Sequence, residues 1–531
     1  MFVARDLPYE KTNSFSKIVV DYLAENKLLR SFYSFPPTID GIKLAIEKKK
    51  NHRINRDLLV SALQKQYANV AGREIVEKNI ALLKKENTFT VCTAHQPNLF
   101  TGPLYFIYKI LHAIKLAAFL NENIPEHRFV PVFYMGCEDA DVEELNHFSV
   151  RGKKYAWDTN QKGAVGRMKI DKQLLQLIDE LDKQLSVEPF GGEWAELLRK
   201  FFIIGRDIQT ATFELVHELF GKYGLLVLIP DSADLKRELF PVFQDDLFRH
   251  HPLQIVSDTS KKLSELYNVQ AFAREINLFY LKDNLRERIE VKNGNYQVLN
   301  SKISFSEDEL KIELHDHPER FSPNVILRGL LQETVLPNVA FIGGGGELAY
   351  WLQLKDLFDH YEVPFPVQVL RNSFLIIENH QQQLTEKLNL DQAEMFQSEL
   401  EILNNIIDRE GKKPELNGEV KDLEKIYDQL KVIASGYDET LAQHVQALKA
   451  KTLNQIEALE KKMFRAERKK HEAVKRQIAR LKQQLFPNDS LQERVENVGW
   501  YYAKWGRSFI DQLYINSFAL EQQFVILHQN H

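Results

Sequence analysis

Cysteine is almost missing from this sequence: Cys92 and Cys137 are the two among 531 residues. Two thiols cannot make a disulfide framework, which excludes the disulfide-held scaffolds and fits a reducing compartment. No stretch approaches the roughly 20 apolar residues that a membrane-spanning helix needs. The opening residues carry an early acid and no apolar run of signal-peptide length, so a cytoplasmic location and no membrane partner are expected. A dominant charge is missing too. The 69 Lys and Arg stand against 74 Asp and Glu, net −5, so no global field favours nucleic acid, and none is expected as a partner.

What is present is apolar and aromatic: 44% hydrophobic residues, with 33 Phe and 19 Tyr. Such a chain folds, and its length calls for more than one core. A β-rich run at 88–93 leads through a polar turn to helical spacing at 104–120. Further β-rich runs at 129–135, 224–229 and 338–342 each end in polar or glycine residues, and the last is followed by a helix at 348–358. Repeated strand–turn–helix units predict an α/β fold, a Rossmann-like parallel sheet with its ligand crevice at the strands' C-terminal ends. Hairpin-like and helical stretches interrupt it: a hairpin over 151–170 with helices to about 221, and a second hairpin over 289–314 with an Asn-Gly turn.

From about 391 to 485 the pattern is helical, broken near Gly411 and at Ser435-Gly436. Apolar residues from Leu441 through Leu448, Leu459 and Met463 to Ile478, Leu481 and Leu485 step by threes and fours, a coiled-coil seam. A helix over 438–485 would reach about 70 Å, too far for a compact domain to cover. The expected domains are 1–375, with insertions near 150–221 and 250–320; a helical coiled-coil domain at 376–490; and an aromatic-rich segment, 491–531, folding back on the core.

Four segments are candidates for chemistry. His95 and Gln96, with Thr101 and Gly102, form a polar turn entering a helix, a seat for phosphate where a side chain can donate to a phosphoryl oxygen. The plainer reading is a capped loop with a surface histidine. Glu138, Asp139, Asp141, Glu143, Glu144, Asn146 and His147 crowd the residues after the second strand. They suit a hard cation, an amine or a general base, or they simply suit a helix dipole. Gly343, Gly344, Gly345 and Gly346, followed by Glu347, Tyr350 and Trp351, allow close backbone approach and unusual dihedrals without matching a Walker A or a GxGxxG motif. The run 461–482 holds ten Lys or Arg against two Glu; a solvated coiled-coil face accounts for it better than nucleic acid. Cys92, His95, Cys137 and His147 lack the spacing of a zinc site, and no metal is expected.

Taken in order, the segments around Thr93 to Gln96 and Thr101 to Tyr105, Gly136 to Asp141, Asn146 and His147, Ser322 to Val325 with Arg328 and Gln332, Gly343 to Glu347 with Tyr350 and Gln353, and Leu491 to Arg494 resemble the bacillithiol-biosynthesis cysteine-adding family across almost the whole chain. The resemblance implies a nucleotidyltransferase-like Rossmann core with connecting-peptide insertions, as in class I aminoacyl-tRNA synthetases, and a coiled coil that makes a homodimer. It implies a ligase that joins the carboxyl group of L-cysteine to the amine of glucosaminyl-malate. Neither an intact HIGH nor a KMSKS signature is present, so how the carboxylate is activated stays open, with ATP or another nucleotide as the expected co-substrate. On this reading Glu138, Asp139, Asp141 and His95 are the catalytic candidates. Gln96, Thr101, Gly102, Asn146, His147, Arg328, Gln332, the four glycines, Glu347, Tyr350, Trp351 and Arg494 are the binding candidates, with Arg328 facing the malate carboxylates. The alternatives are a related enzyme acting on another amine and carboxylate, or a non-catalytic coiled-coil scaffold.

Overall fold

A computed structural model describes residues 2–530 of the chain, which divides into two compact units, one built from 1–10, 14–376 and 490–531 and the other from 11–13 and 377–489. The centre of the larger unit is a five-stranded parallel sheet of β1 (Thr88–His95), β2 (Arg128–Met135), β3 (Leu226–Leu228), β4 (Asn338–Gly343) and β5 (Val367–Leu370), in the order β5-β4-β1-β2-β3. The strands read as nearly continuous apolar runs because both faces of the sheet are covered. One face packs Phe89, Val91, Ile342 and Val369 against Ala113, Leu116 and Leu120 of α1 (Tyr105–Asn123) and Ile42 and Ile46 of the helix Ile39–Lys50. Pro131 in mid-strand is tolerated because β3 pairs with β2 only at Val132, Phe133 and Tyr134, beyond the missing N–H.

This strand order has one consequence for a ligand. The chain steps outward from β1 to β2 and β3, then returns to the other side of β1 for β4 and β5, so connections diverge between β1 and β4. A crevice opens there, at the strands' C-terminal ends, between His95 and the glycine run.

Two long insertions interrupt the core. The first holds a hairpin, His147–Val150 with Lys153–Ala156, and the helices Lys172–Leu185, Gly191–Phe201 and Ile208–Phe220. The hairpin begins a few residues before the expected 151, because Arg151 and Gly152, both at positive φ, make its turn. The second holds an antiparallel sheet running from Leu278–Lys282 to Phe321–Pro323. Its Asn293-Gly294 turn stands as expected, but 307–316 is a helix and not a returning strand, started by a capping box between Ser306 and Glu309. The expected helix at 348–358 is also two: α3 (Gly345–Trp351), preceded by α2 (Val325–Val335) and β4, and then Lys355–His360.

The last segment returns to this unit. Gln523–Gln529 pairs antiparallel with Phe2–Pro8 in a sheet that also contains Phe374–Ile377. The helix Val498–Trp505 lies on Gly191–Phe201, where the Tyr502 hydroxyl donates to Glu193 at 2.6 Å. The smaller unit is helical: α4 (Glu399–Arg409), α5 (Asn417–Ser435), α6 (Leu441–Lys470) and α7 (Glu472–Leu485). The long helix is broken at His471, whose ψ of 28° ends α6 in a tighter turn and sends the seam to two partners. α6 pairs with α5, where Tyr427 and Thr452 share a 2.7 Å hydrogen bond, while Ile478, Leu481 and Leu485 of α7 are buried in its packing with α4.

Candidate active site

The crevice is a cavity of about 700 Å³, lined by residues that lie far apart in sequence. Its floor is the end of β1, with Ala94, His95 and Gln96. One wall is the start of α3, with Gly344, Gly345, Gly346, Glu347 and Tyr350; the other carries Asp139 and Glu144. Arg328 and Asn324 enter from around α2, Phe279 and Arg286 from the second insertion, Arg371 from beyond β5, and Arg494 from the last segment.

Asp139 is the hub of the polar network. The Arg328 guanidinium grips its carboxylate in bidentate fashion, with the Nη1–Oδ2 bond at 2.9 Å, and Gln96 Nε2 donates to the same oxygen at 2.9 Å. Arg286 Nη2 lies 3.5 Å from the other oxygen. Burial disfavours charge on Asp139, but these donors outweigh it and hold the pKa below its ordinary value. Asp139 is therefore a charged, fully engaged anchor, and a poor proton acceptor. Arg328 is equally committed, so its fork is not free for a substrate carboxylate as the sequence suggested.

Glu144 is different. It sits at the open rim, and its carboxyl is raised above the ordinary value by burial and by the neighbouring charges of Asp141 and Asp139. Of the acidic cluster, Asp139 and Glu144 line the cavity, and Glu144 is the one of the two whose pKa is raised.

His95 packs against Tyr105 and Phe106 with its Nδ1 donating to the Gln96 carbonyl at 3.2 Å. Burial, helped by Lys109, pushes its pKa down to about 4, so the ring is neutral near pH 7. Positive charge for an anionic ligand comes from the arginines. Beneath the glycine run, Lys109 of α1 donates to Glu347 Oε2 at 2.6 Å and to the carbonyl of Ala94. Glu347 in turn accepts from the Gly344 N–H at 2.8 Å. This bridge ties the end of β1 to the start of α3. None of the four glycines has a positive φ, so unusual dihedrals do not explain them. A side chain at Gly346 would project into open space, and one at Gly345 would press on Val19 at 3.3 Å. Gly344, Gly345 and Gly346 line the cavity without side chains, so a ligand can approach the backbone at the start of α3 closely.

The remaining candidates lie off the cavity lining. Glu138 is ion-paired with the buried Lys236, in a cluster with Asp231 and Arg167 that ties the first insertion to the end of β3. Burial raises its pKa and Lys236 opposes the rise. Asp141 caps a helical turn through the Glu144 N–H at 3.2 Å. Asn146 donates to the Trp157 carbonyl at 3.0 Å, His147 bonds the Glu143 carbonyl at 2.9 Å, and buried Gln332 donates to Glu333 at 2.8 Å. Thr101 and Gly102 have φ of 73° and 60° in a tight turn clamped by Asn497, whose Nδ2 donates to the carbonyls of Phe100 and Gly102 at 3.0 and 2.6 Å. Trp351 packs among Phe341, Phe358 and Phe365, and Gly343 closes β4 by accepting from the Arg371 N–H at 2.8 Å.

Sequence reasoning passed over Tyr105, Lys109, Phe279, Arg286 and Arg371. Lys109 carried a signal, a charge set among apolar residues on both sides in α1; the others reach the cavity only through tertiary folding.

Comparison with known proteins places the chain. The model of the bacillithiol biosynthesis BshC N-terminal Rossmann-like domain matches residues 3–372, and that of the BshC C-terminal coiled-coil domain matches 374–529. The second match includes the strand that rejoins the larger unit. Proteins named "Putative cysteine ligase BshC" from Flavobacterium psychrophilum and Christiangramia forsetii are each 40% identical to it, over 98% of this chain and 98% of theirs. One of the same name from Flavobacterium johnsoniae is 38% identical over 98% of this chain and 99% of its own. With both models matched nearly end to end and full-length relatives at this identity, the chain belongs to the bacillithiol-biosynthesis BshC family.

Proposed function

We propose that the protein is a ligase that forms an amide between the carboxyl group of L-cysteine and the amine of glucosaminyl-malate, completing bacillithiol. The observation that carries this reading is the charge of the cavity. Arg286, Arg328, Arg371 and Arg494 line it against Asp139, Glu144 and Glu347. Arg371 is paired with Glu493 and Arg328 with Asp139, whereas Arg494 is exposed and has no ion pair among the described residues. Arg494 is thus the group that suits the malate carboxylates, since a guanidinium meets a carboxylate with two parallel hydrogen bonds.

A free carboxylate is a poor acyl donor, so amide formation requires activation, and ATP or another nucleotide is the proposed co-substrate. The residues present fit a phosphate chain: Gly344, Gly345 and Gly346 let it approach the backbone, Arg371 stands beside Gly344, and the neutral His95 ring lines the same cavity. Glu144 then takes the proton from the attacking amine nitrogen. Asp139 holds Arg328, Arg286 and Gln96 in place around the reacting carboxyl group.

The test is to incubate purified protein with glucosaminyl-malate, cysteine and ATP, following bacillithiol together with pyrophosphate or ADP. Stoichiometric product and nucleotide cleavage are expected, and Glu144→Gln is expected to lower kcat by about 100-fold or more, the usual worth of a general base. Product without any nucleotide overturns the activation step; no product with all three substrates overturns the assignment. We further propose that α5 and α6 carry the contact of a homodimer.

A further inference from the structure

Away from the cavity, three helices of the larger unit bring together a carboxylate and two imidazoles. Asp245 comes from the helix Phe240–Phe248, His251 opens the helix His251–Ser264, and His360 closes the helix Lys355–His360. One ligand atom from each lies within 4.8 Å of the other two, with Asp245 buried and both histidines exposed. Asp245 Oδ1 is 2.7 Å from His251 Nδ1, and its Oδ2 accepts from the Tyr361 hydroxyl at 2.5 Å. The imidazole centroids are 5.5 Å apart. None of the four residues lines the cavity.

Packing does not require this arrangement, because two exposed imidazoles gain little from one another. His250, between the first two helices, has a φ of 58° and caps the first of them, its N–H donating to the Asp245 carbonyl at 2.8 Å, and the turn delivers His251 onto Asp245.

We propose that Asp245, His251 and His360 bind a divalent transition-metal ion, zinc in first place. Two imidazole nitrogens and one carboxylate oxygen match zinc and its neighbours, whereas calcium and magnesium take shells of oxygen. Ligands at about 2.1 Å around a tetrahedral zinc stand roughly 3.5 Å apart. The exposed imidazoles reach that spacing by side-chain rotation. Three protein ligands leave a fourth position for water, and Tyr361 is the outer partner that orients the carboxylate. The ion pins the corner between two helices to the end of a third, distant in sequence, so its effect is read as stability.

The experiment uses untagged full-length protein, stripped with a chelator and titrated with Co2+ while visible d–d absorption is followed. Zn2+ is then added as competitor, and thermal unfolding is recorded with Zn2+ or Mg2+. One equivalent of Co2+ with a tetrahedral spectrum, displacement by Zn2+ and a Tm raised by Zn2+ alone are expected. His251→Ala and His360→Ala should each weaken Co2+ binding at least ten-fold, and Tyr361→Phe by about ten-fold. The metal-free Tm of each variant checks that it has folded. Wild type that binds no Co2+, or folded histidine variants that bind it as well as wild type, overturns the proposal.

Discussion

At the scale of single residues, protonation separates the roles of side chains that look alike in the sequence. His112 in α1 is fully buried, with its Nε2 donating to the Ala519 carbonyl at 2.8 Å and its Nδ1 accepting from the Asn372 N–H at 3.0 Å. Only the neutral ring does both, and burial lowers its pKa to about 4. The folded value is therefore below the unfolded value of about 6.5, so as pH falls the unfolded chain takes up the proton first. Stability is expected to be full above about pH 6.5 and to fall by about 3 kcal/mol as pH drops to 4, at 1.36 kcal/mol per unit. Urea unfolding of wild type and His112→Gln across that range checks this: the variant should be weaker at neutral pH and have a shallower slope. Asp139→Asn keeps the shape of the hub but removes the charge that two guanidiniums share. About 3 kcal/mol of stability and about 100-fold in kcat/KM are expected to be lost, the scale of breaking a buried pair and of misplacing a charge-stabilising donor. An unchanged unfolding midpoint would show that Arg286 and Arg328 find other partners.

At the scale of elements, the site depends on a segment that arrives last. Glu493 is buried and bonds Arg371 Nη2 at 2.7 Å, Ser373 Oγ at 3.1 Å and the Phe374 N–H at 3.3 Å. It fixes the strand Phe374–Ile377 and sets its neighbour Arg494 at the cavity. Glu493→Ala leaves Arg371 as an unpaired buried charge, which costs about 3 to 5 kcal/mol. The expected signature is faster amide hydrogen exchange in Phe374–Ile377 and a higher KM for the proposed malate-bearing substrate; exchange confined to the last few residues would contradict it. Such a dependence explains what the sequence could reveal. The parallel strands were legible because burial on both faces writes continuous apolar runs, and the crevice was legible because polar residues and glycines follow β1, β2 and β4. The closing elements were not. Arg286 stands in an alternating strand where nothing marks it as facing inward, and Arg371 follows β5 like any loop residue. Asp141, Asn146, Thr101 and Gly102 carried the residue types of a site, yet the structure uses them for caps and a clamped turn. Asp245, His251 and His360 lie too far apart for any spacing rule to join them.

At the scale of the whole molecule, the α5–α6 pair leaves apolar surface that one copy of the chain does not cover. Leu441, Leu448, Leu459 and Met463 of α6 are 42, 42, 48 and 39% exposed, and Ile426, Leu430 and Ile433 of α5 are 50, 45 and 58% exposed. These are seam positions, spaced to face another helix, and α5 satisfies only one side of α6. A contiguous apolar stripe on two adjacent helices is a surface that associates in water, and two such pairs from two copies complete a four-helix bundle. On the same helix Lys461 pairs with Glu457 and Lys470 with Glu467. Light scattering is therefore expected to give twice the chain mass of 61.9 kDa at micromolar concentration. Leu448→Lys with Leu459→Lys should shift the species to one chain, because each lysine would bury a charge without a partner in the bundle. The cavity lies in the larger unit and draws every lining residue from it, so the same double variant should retain its activity. A wild-type protein that stays at one chain mass would leave the stripe for a different partner, and a monomeric variant that lost activity would mean that the dimer contributes to the site.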